Sequence, residues 1–314
     1  MKDRHKNIAQ SVRDRLRTLA NRKHLSYNHV LIRYVLERLL YRLSESPQQN
    51  NFALKGGMLL AIWMTDPFRM TMDIDLLGYG NSRADELQEA FRNIMDTPVA
   101  NDGVVFDINS VNIKPIREQQ DYRGFRIKAS AFIGSERIPV QIDIGFGDAV
   151  TPSPEEHKYP TLLDTPAPHL KTYPRETVVA EKLEAIVIFG IGNSRMKDYY
   201  DLFFLSRHFP FDGQTLSQAI QATFERRRTE LPNVVPPALS QNFGMSTDAM
   251  EQWKVFLQKT HLLIAAAPPD LANVVKEIEK FVMPPTIAAT SGEIFACQWK
   301  PSKGWTAGIS SEHT

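Results

Sequence analysis

Three runs within residues 104–146, VVFDINSVNI, FRIKASAFI and IPVQIDIGF, alternate apolar and polar side chains. A period of two marks a half-buried strand. Three such runs in close succession commit this stretch to a sheet with one buried face. In the middle run, Arg126, Lys128 and Ser130 alternate against Ile127, Ala129 and Ala131. A shorter run, MDIDLL at 72–77, has the same period and sets Asp73 and Asp75 on one side of its strand.

The flanking segments have a different period. Ile8, Val12, Leu16 and Leu19 recur at helical spacing over residues 5–23, with Arg13 and Arg17 off the stripe. Residues 1–24 hold eight Lys/Arg against two acidic residues. A second helix spans Asn28 to Leu43, with Leu31, Val35, Leu39 and Leu43 on one face, and Ser46-Pro47 ends it. Residues 52–66 read as a helix or a strand-to-helix segment, and 82–96 as a helix. Prolines at 152, 154, 160, 166, 168 and 174 mark a connector over 151–175. Beyond it, helices are expected at 176–190, 197–208, 214–229, 247–265 and 270–282. This predicts an α+β protein with a helical arm (1–50), a mixed-sheet core (51–150), the connector (151–175), a helical domain (176–283) and a flexible tail (284–314).

Composition removes several function classes. A formal net charge of +1 excludes a polycation, so any nucleic-acid contact must come from a local basic patch. The single cysteine, Cys297, excludes an internal disulfide framework and argues against a cysteine-based metal site. The opening MKDRHKNIAQ lacks a secretory apolar segment. The longest apolar run, LLIAAA at 262–267, is far short of the roughly 18 residues a membrane span needs. The expectation is a cytoplasmic protein with no membrane partner.

Two carboxylates side by side repel unless a cation lies between them. For Asp73 and Asp75 a solvated acidic turn and a metal site are both open readings. Asp143, in QIDIGF, is a third carboxylate in an apolar strand, where it needs a partner. Three aspartates on adjacent strands suit Mg²⁺ or Mn²⁺, which leave room for phosphate oxygens. Upstream, Gly56 and Gly57 allow the backbone to approach a phosphate, and Lys55 adds charge. Thr71 and Arg69 lie on the approach to the DxD pair; Arg69 reads equally as a phosphate contact or a surface arginine.

The segment KGGMLLAIWMTDPFRMTMDIDLL, followed by TVVAEKLEAIVIFGIGNSRMKDYYDL, resembles the nucleotidyltransferases of the AbiEii/AbiGii toxin family, which includes the MenT toxins. The matching motifs fall in the same order over roughly residues 50–205. Their resemblance implies a polymerase-β-like core with a helical C-terminal domain. It implies a metal-dependent toxin of a toxin–antitoxin, phage-defence type system. Such an enzyme transfers NMP from an NTP to an acceptor hydroxyl, in particular the 3′ end of tRNA, and releases pyrophosphate. A cognate antitoxin is implied by the family alone.

The resemblance also gives roles to residues that read otherwise alone. Lys182 reads as a surface lysine; in the family pattern it is the functional lysine that neutralises nucleotide phosphate. Arg195, Lys197 and Asp198 read as a charged helix start. The resemblance makes Asp198 a catalytic residue and the two cations nucleotide contacts. Met58 stands where the family often has Ser or Thr, and the gap from Gly57 to Asp73 is longer than the usual superfamily spacing. An antibiotic-type small-molecule nucleotidyltransferase and a non-catalytic GTP/NTP-binding module are the alternative readings.

Overall fold

The structure, a computed structural model, describes residues 2–64, 71–80, 83–117, 123–260 and 270–307, with side chains from residue 7 onward and not at Arg117 or Arg123. Arg69, the end of the helix expected at 247–265, the LLIAAA run and residues 308–314 fall outside these. The described residues form two compact units: 1–147 with 155–172, and 148–154 with 173–314.

The first unit carries a seven-stranded mixed sheet. Its strands are β1 (Phe52–Lys55), β2 (Ile74–Gly78), β3 (Val105–Arg117), β4 (Arg123–Ile133), β5 (Glu136–Phe146), β6 (Glu155–Lys158) and β7 (His169–Thr172), in the order β3-β4-β5-β2-β1-β7-β6. The β2–β5 and β1–β7 pairs are parallel, and the other pairs are antiparallel. Helices α1 (Lys2–Arg22), α2 (Tyr27–Glu45) and α4 (Ala84–Met95) pack on β4, β5 and β3 in turn, and a short turn of helix, α3 (Leu60–Trp63), follows the glycines.

Alternation sorts the strand residues by face. Ile138, Val140, Ile142 and Ile144 of β5 are buried, as are Ile127, Ala129, Ala131 and Ile133 of β4. The intervening Arg126, Gln141 and Asp143 are only partly covered. Val12, Leu16 and Leu19 of α1 are buried, as their spacing required. Each such side chain contributes roughly 1.5–3 kcal/mol on burial.

The Pro-rich stretch is more than a connector. Residues 155–172 return to the first unit as the β6–β7 hairpin. The loop between these strands is tied to α2, because the Leu162 amide donates to Glu37 Oε2 at 2.8 Å. Glu37 is fully buried beside Arg38, 2.9 Å away. Proline density marked irregular backbone correctly, but short edge strands tolerate nearby proline.

The second unit contains α5 (Arg175–Phe189), α6 (Met196–His208), α7 (Gly213–Arg227), α8 (Gln241–Gly244), α9 (Thr247–Thr260) and α10 (Leu271–Ser291), with a small sheet of β8 (Phe211–Asp212), β9 (Cys297–Lys300) and β10 (Gly304–Ala307). The expected tail from 284 is therefore structured as far as Ala307. Helix α10 runs through Pro284 and Pro285. Pro285 has no N–H for the Phe281 carbonyl one turn back. That carbonyl instead accepts from Trp305 Nε1 at 3.0 Å. Trp299 is buried and donates to Ser206 O at 2.7 Å. The β9–β10 hairpin thus supplies a bond that the proline denies to the helix. No helix among the described residues is long and apolar enough to cross a membrane.

Candidate active site

Asp73 lies one residue before β2, and Asp75 lies within it. In the parallel β2–β5 ladder Asp75 is the Cα partner of Asp143. Adjacent partners in a ladder present their side chains to the same face. Asp73, Asp75 and Asp143 accordingly converge, with one carboxylate oxygen from each within 4.8 Å of the others. All three are half-buried. A hard divalent cation fits this donor set, which is all carboxylate oxygen and only partly covered.

Each carboxylate has local support. Thr71 Oγ1 donates to Asp73 Oδ1 at 2.8 Å. Lys55 is the antiparallel Cα partner of Asp75 on the β1 side. Gly56 follows with φ +71°, and its Cα approaches Asp75 so closely that a Cβ there would lie 2.6 Å from Asp75 Cγ. The glycine is required on both counts, since L-residues avoid that φ and no side chain fits. Gly57 is buried in the 3₁₀ turn Gly56–Leu59. On the other side, Arg126 of β4 grips Asp143 through two bonds, Nε to Oδ1 at 2.8 Å and Nη2 to Oδ2 at 2.6 Å.

Lys182, Arg195 and Asp198 form a second cluster, within the second unit. Helix α5 carries Lys182, whose Nζ lies 2.9 Å from Asp198 Oδ1 and 2.7 Å from Asp201 Oδ2, both on α6. Arg195, at the N-cap of α6, donates from Nε to Asp198 Oδ2 at 2.6 Å. Burial alone would raise the Asp198 carboxyl, but Lys182 and Arg195 overcome it and hold the group at about 2. Both Asp198 oxygens therefore face cations, and the side chain is wholly enclosed. In this arrangement Asp198 orients Lys182 and Arg195. Lys197 points to solvent.

The structure brings the three aspartates of the DxD–strand pattern together and places Lys55, Gly56, Gly57 and Thr71 around them. Arg126 was missed as a site residue. Its alternation with Lys128 and Ser130 set it on the polar side of its strand without naming a partner, yet a countable signal existed. The turn Gly134-Ser135 separates β4 from β5, and pairing residues equally distant from that turn sets Arg126 opposite Asp143. Asp201, three residues beyond Asp198 on α6, is a second direct partner of Lys182 and supports it.

The basic run Arg226 to Arg228 is not a uniform patch. Arg227 turns inward to Glu184 at 2.7 Å and Glu181 at 3.2 Å, and these acids raise its already high pKa despite burial. On the N-terminal arm, Arg15 and Arg17 remain exposed, with Arg17 over the Tyr27 ring at 4.9 Å.

The family model described as "Nucleotidyl transferase AbiEii toxin, Type IV TA system" matches residues 38–277. No curated protein matches the chain. Two solved structures align with it, one described as "putative nucleotidyltransferase from H. pylori" and the other as JHP933 from Helicobacter pylori. Each is 12% identical with a TM-score of 0.44; the alignments cover 85% of this chain and 97% and 94% of theirs. The family assignment rests on the sequence match.

Proposed function

Because the chain belongs to the AbiEii nucleotidyl transferase toxin family of type IV toxin–antitoxin systems, we propose that it transfers NMP from an NTP to a hydroxyl at the 3′ end of tRNA. The observation that carries a metal-dependent transferase is the convergence of Asp73, Asp75 and Asp143. These residues would hold Mg²⁺ or Mn²⁺, which when bound polarises the α-phosphate and screens the pyrophosphate leaving group. The acceptor oxygen bonds to the α-phosphorus, the bond from that phosphorus to the bridging oxygen breaks, and the hydroxyl proton passes to a triad carboxylate.

The chain's other residues bind and orient. The backbone at Gly56-Gly57 admits phosphate oxygens closely. Lys55 lies beside Asp75 in the ladder and adds positive charge there. We assign the Lys182–Arg195 cluster, with Lys197, to the same reaction as cations for the triphosphate, with Asp198 fixing their geometry. Thr71 supports the approach through its hold on Asp73, and Arg69 is assigned to the nucleotide phosphates on the family resemblance alone. A cognate antitoxin is the expected protein partner, and growth arrest the expected outcome of blocking tRNA 3′ ends.

The decisive assay uses purified protein, total tRNA and each α-labelled NTP in turn, with and without Mg²⁺. Label on tRNA with matching pyrophosphate release is the expected result. Metal-dependent labelling of a small acceptor without RNA would favour the antibiotic-type reading. NTP binding without pyrophosphate release would leave only a binding module.

A further inference from the structure

The Arg126–Asp143 pair bears on how the triad acquires its ion. A guanidinium fork on both oxygens at 2.8 and 2.6 Å is a bidentate, charge-assisted pair. It balances one carboxylate of the triad from within the protein. It also covers the edge by which a carboxylate grips a divalent ion with both oxygens. The two residues are cross-strand partners in the β4–β5 ladder, so the arrangement is fixed by register and not by a mobile loop. The Arg126 side chain is 40% exposed against 17% for Asp143. The guanidinium is thus more open to solvent than the carboxylate it holds.

We propose that Arg126 is a resident counter-cation that competes with the divalent ion for Asp143. A free ion must displace or crowd a positive charge already in place, so the bare ion binds weakly. The ion enters instead with the nucleotide, whose phosphates supply the anionic partner that the guanidinium gives up. This inference rests on the metal-dependent reading of the triad above.

The test is Mn²⁺ binding to the full-length protein without nucleotide, followed by electron paramagnetic resonance, with melting temperature as a second readout. Arg126→Gln should bind Mn²⁺ about tenfold more tightly than wild type, as expected when a like charge leaves the ion's neighbourhood. It should melt lower than wild type without metal and regain more on adding Mn²⁺. Arg126→Lys keeps the charge without the fork and should fall between; it also serves if the Gln variant does not fold. Equal or weaker Mn²⁺ binding by the variants overturns the proposal and leaves the metal reading standing. If Mn²⁺ binds neither wild type nor variants, even with a non-hydrolysable NTP, both fail. Loss of the signal in Asp73→Asn ties it to the triad.

Discussion

Gly56 and Asp75 approach so closely that a Cβ on Gly56 would lie 2.6 Å from Asp75 Cγ, and closer still to its Oδ2. The turn that begins at Gly56 and the carboxylate on β2 are thus built as one piece. Gly56→Ala should displace Asp75 and force an L-residue to φ +71°. The backbone term alone costs about 1–2 kcal/mol. Urea unfolding should show that loss, and Mn²⁺ titration should show weaker binding. Wild-type values in both would break the link between turn and triad.

Asp73→Asn and Asp75→Asn should each lower transfer on the order of a hundredfold or more, because each removes charge that the transition state needs. Their melting temperatures should stay near wild type, since both residues are half-buried rather than core. Thr71→Val removes a hydrogen bond to a charged acceptor, of a kind worth about 1.5–3 kcal/mol. It should reduce activity less than either aspartate change. A Thr71→Val enzyme as inactive as Asp73→Asn would mean the hydroxyl touches substrate.

The pH dependence of the second unit follows from Asp198. Its folded pKa, about 2, lies below its ordinary 3.8. Its stabilising effect is therefore fully present above the ordinary value and is lost as pH falls from about 4 through about 2. The shift corresponds to about 2 kcal/mol. The stability difference between wild type and Asp198→Asn, read by denaturant unfolding, should be largest near pH 6 and shrink toward pH 2. A difference that does not change with pH would show that the pairing with Lys182 and Arg195 is not electrostatic.

Trp299 should be a stability residue of the helical unit. It is 2% exposed, packs tilted against the Phe281 ring with centroids 4.9 Å apart, and donates to Ser206 O. Trp299→Ala should cost about 3–5 kcal/mol. Truncation after residue 291 should do at least as much damage, because Phe281 O also loses Trp305. A truncated protein with unchanged melting temperature would show the hairpin to be dispensable.

For RNA, the exposed arm is the place to look. Arg15→Glu with Arg17→Glu should weaken tRNA binding and flatten its dependence on salt, while NTP affinity stays the same. Arg227→Glu is no test of RNA contact, since it would set a fourth acid against Asp148, Glu181 and Glu184 and break the network. If the arm variant labels tRNA at the wild-type rate and salt slope, the basic arm is not the RNA surface.

Periodicity made much of this fold readable. The strands β3, β4 and β5, the helices α1, α2, α4, α5, α6 and α7, and the placement of Asp73 near Asp75 all follow from local patterns. What escaped were long-range pairings. Nothing near Glu155 or His169 indicates that β6 and β7 join the sheet, because a short edge strand carries too few residues for a period. The continuation of α10 was hidden for a different reason. Two prolines are strong local evidence for a helix end, and the compensating donor, Trp305, lies 24 residues from Phe281. The same holds for Arg126, whose role depends on what stands opposite it.

The hairpin of β6 and β7 has a consequence for how the chain is made. β7 is the strand that covers the edge of β1, and β1 leads directly into Gly56. On the ribosome, all three aspartates have been synthesised by residue 143, yet β1 keeps an open edge until Thr172 has cleared the exit tunnel. The chain must by then have passed through residues 148–154, which belong to the second unit. The two units are therefore interleaved in synthesis order. Neither can be produced whole by cutting the gene at one point, and the sheet beneath the triad closes only after translation of the other unit has begun.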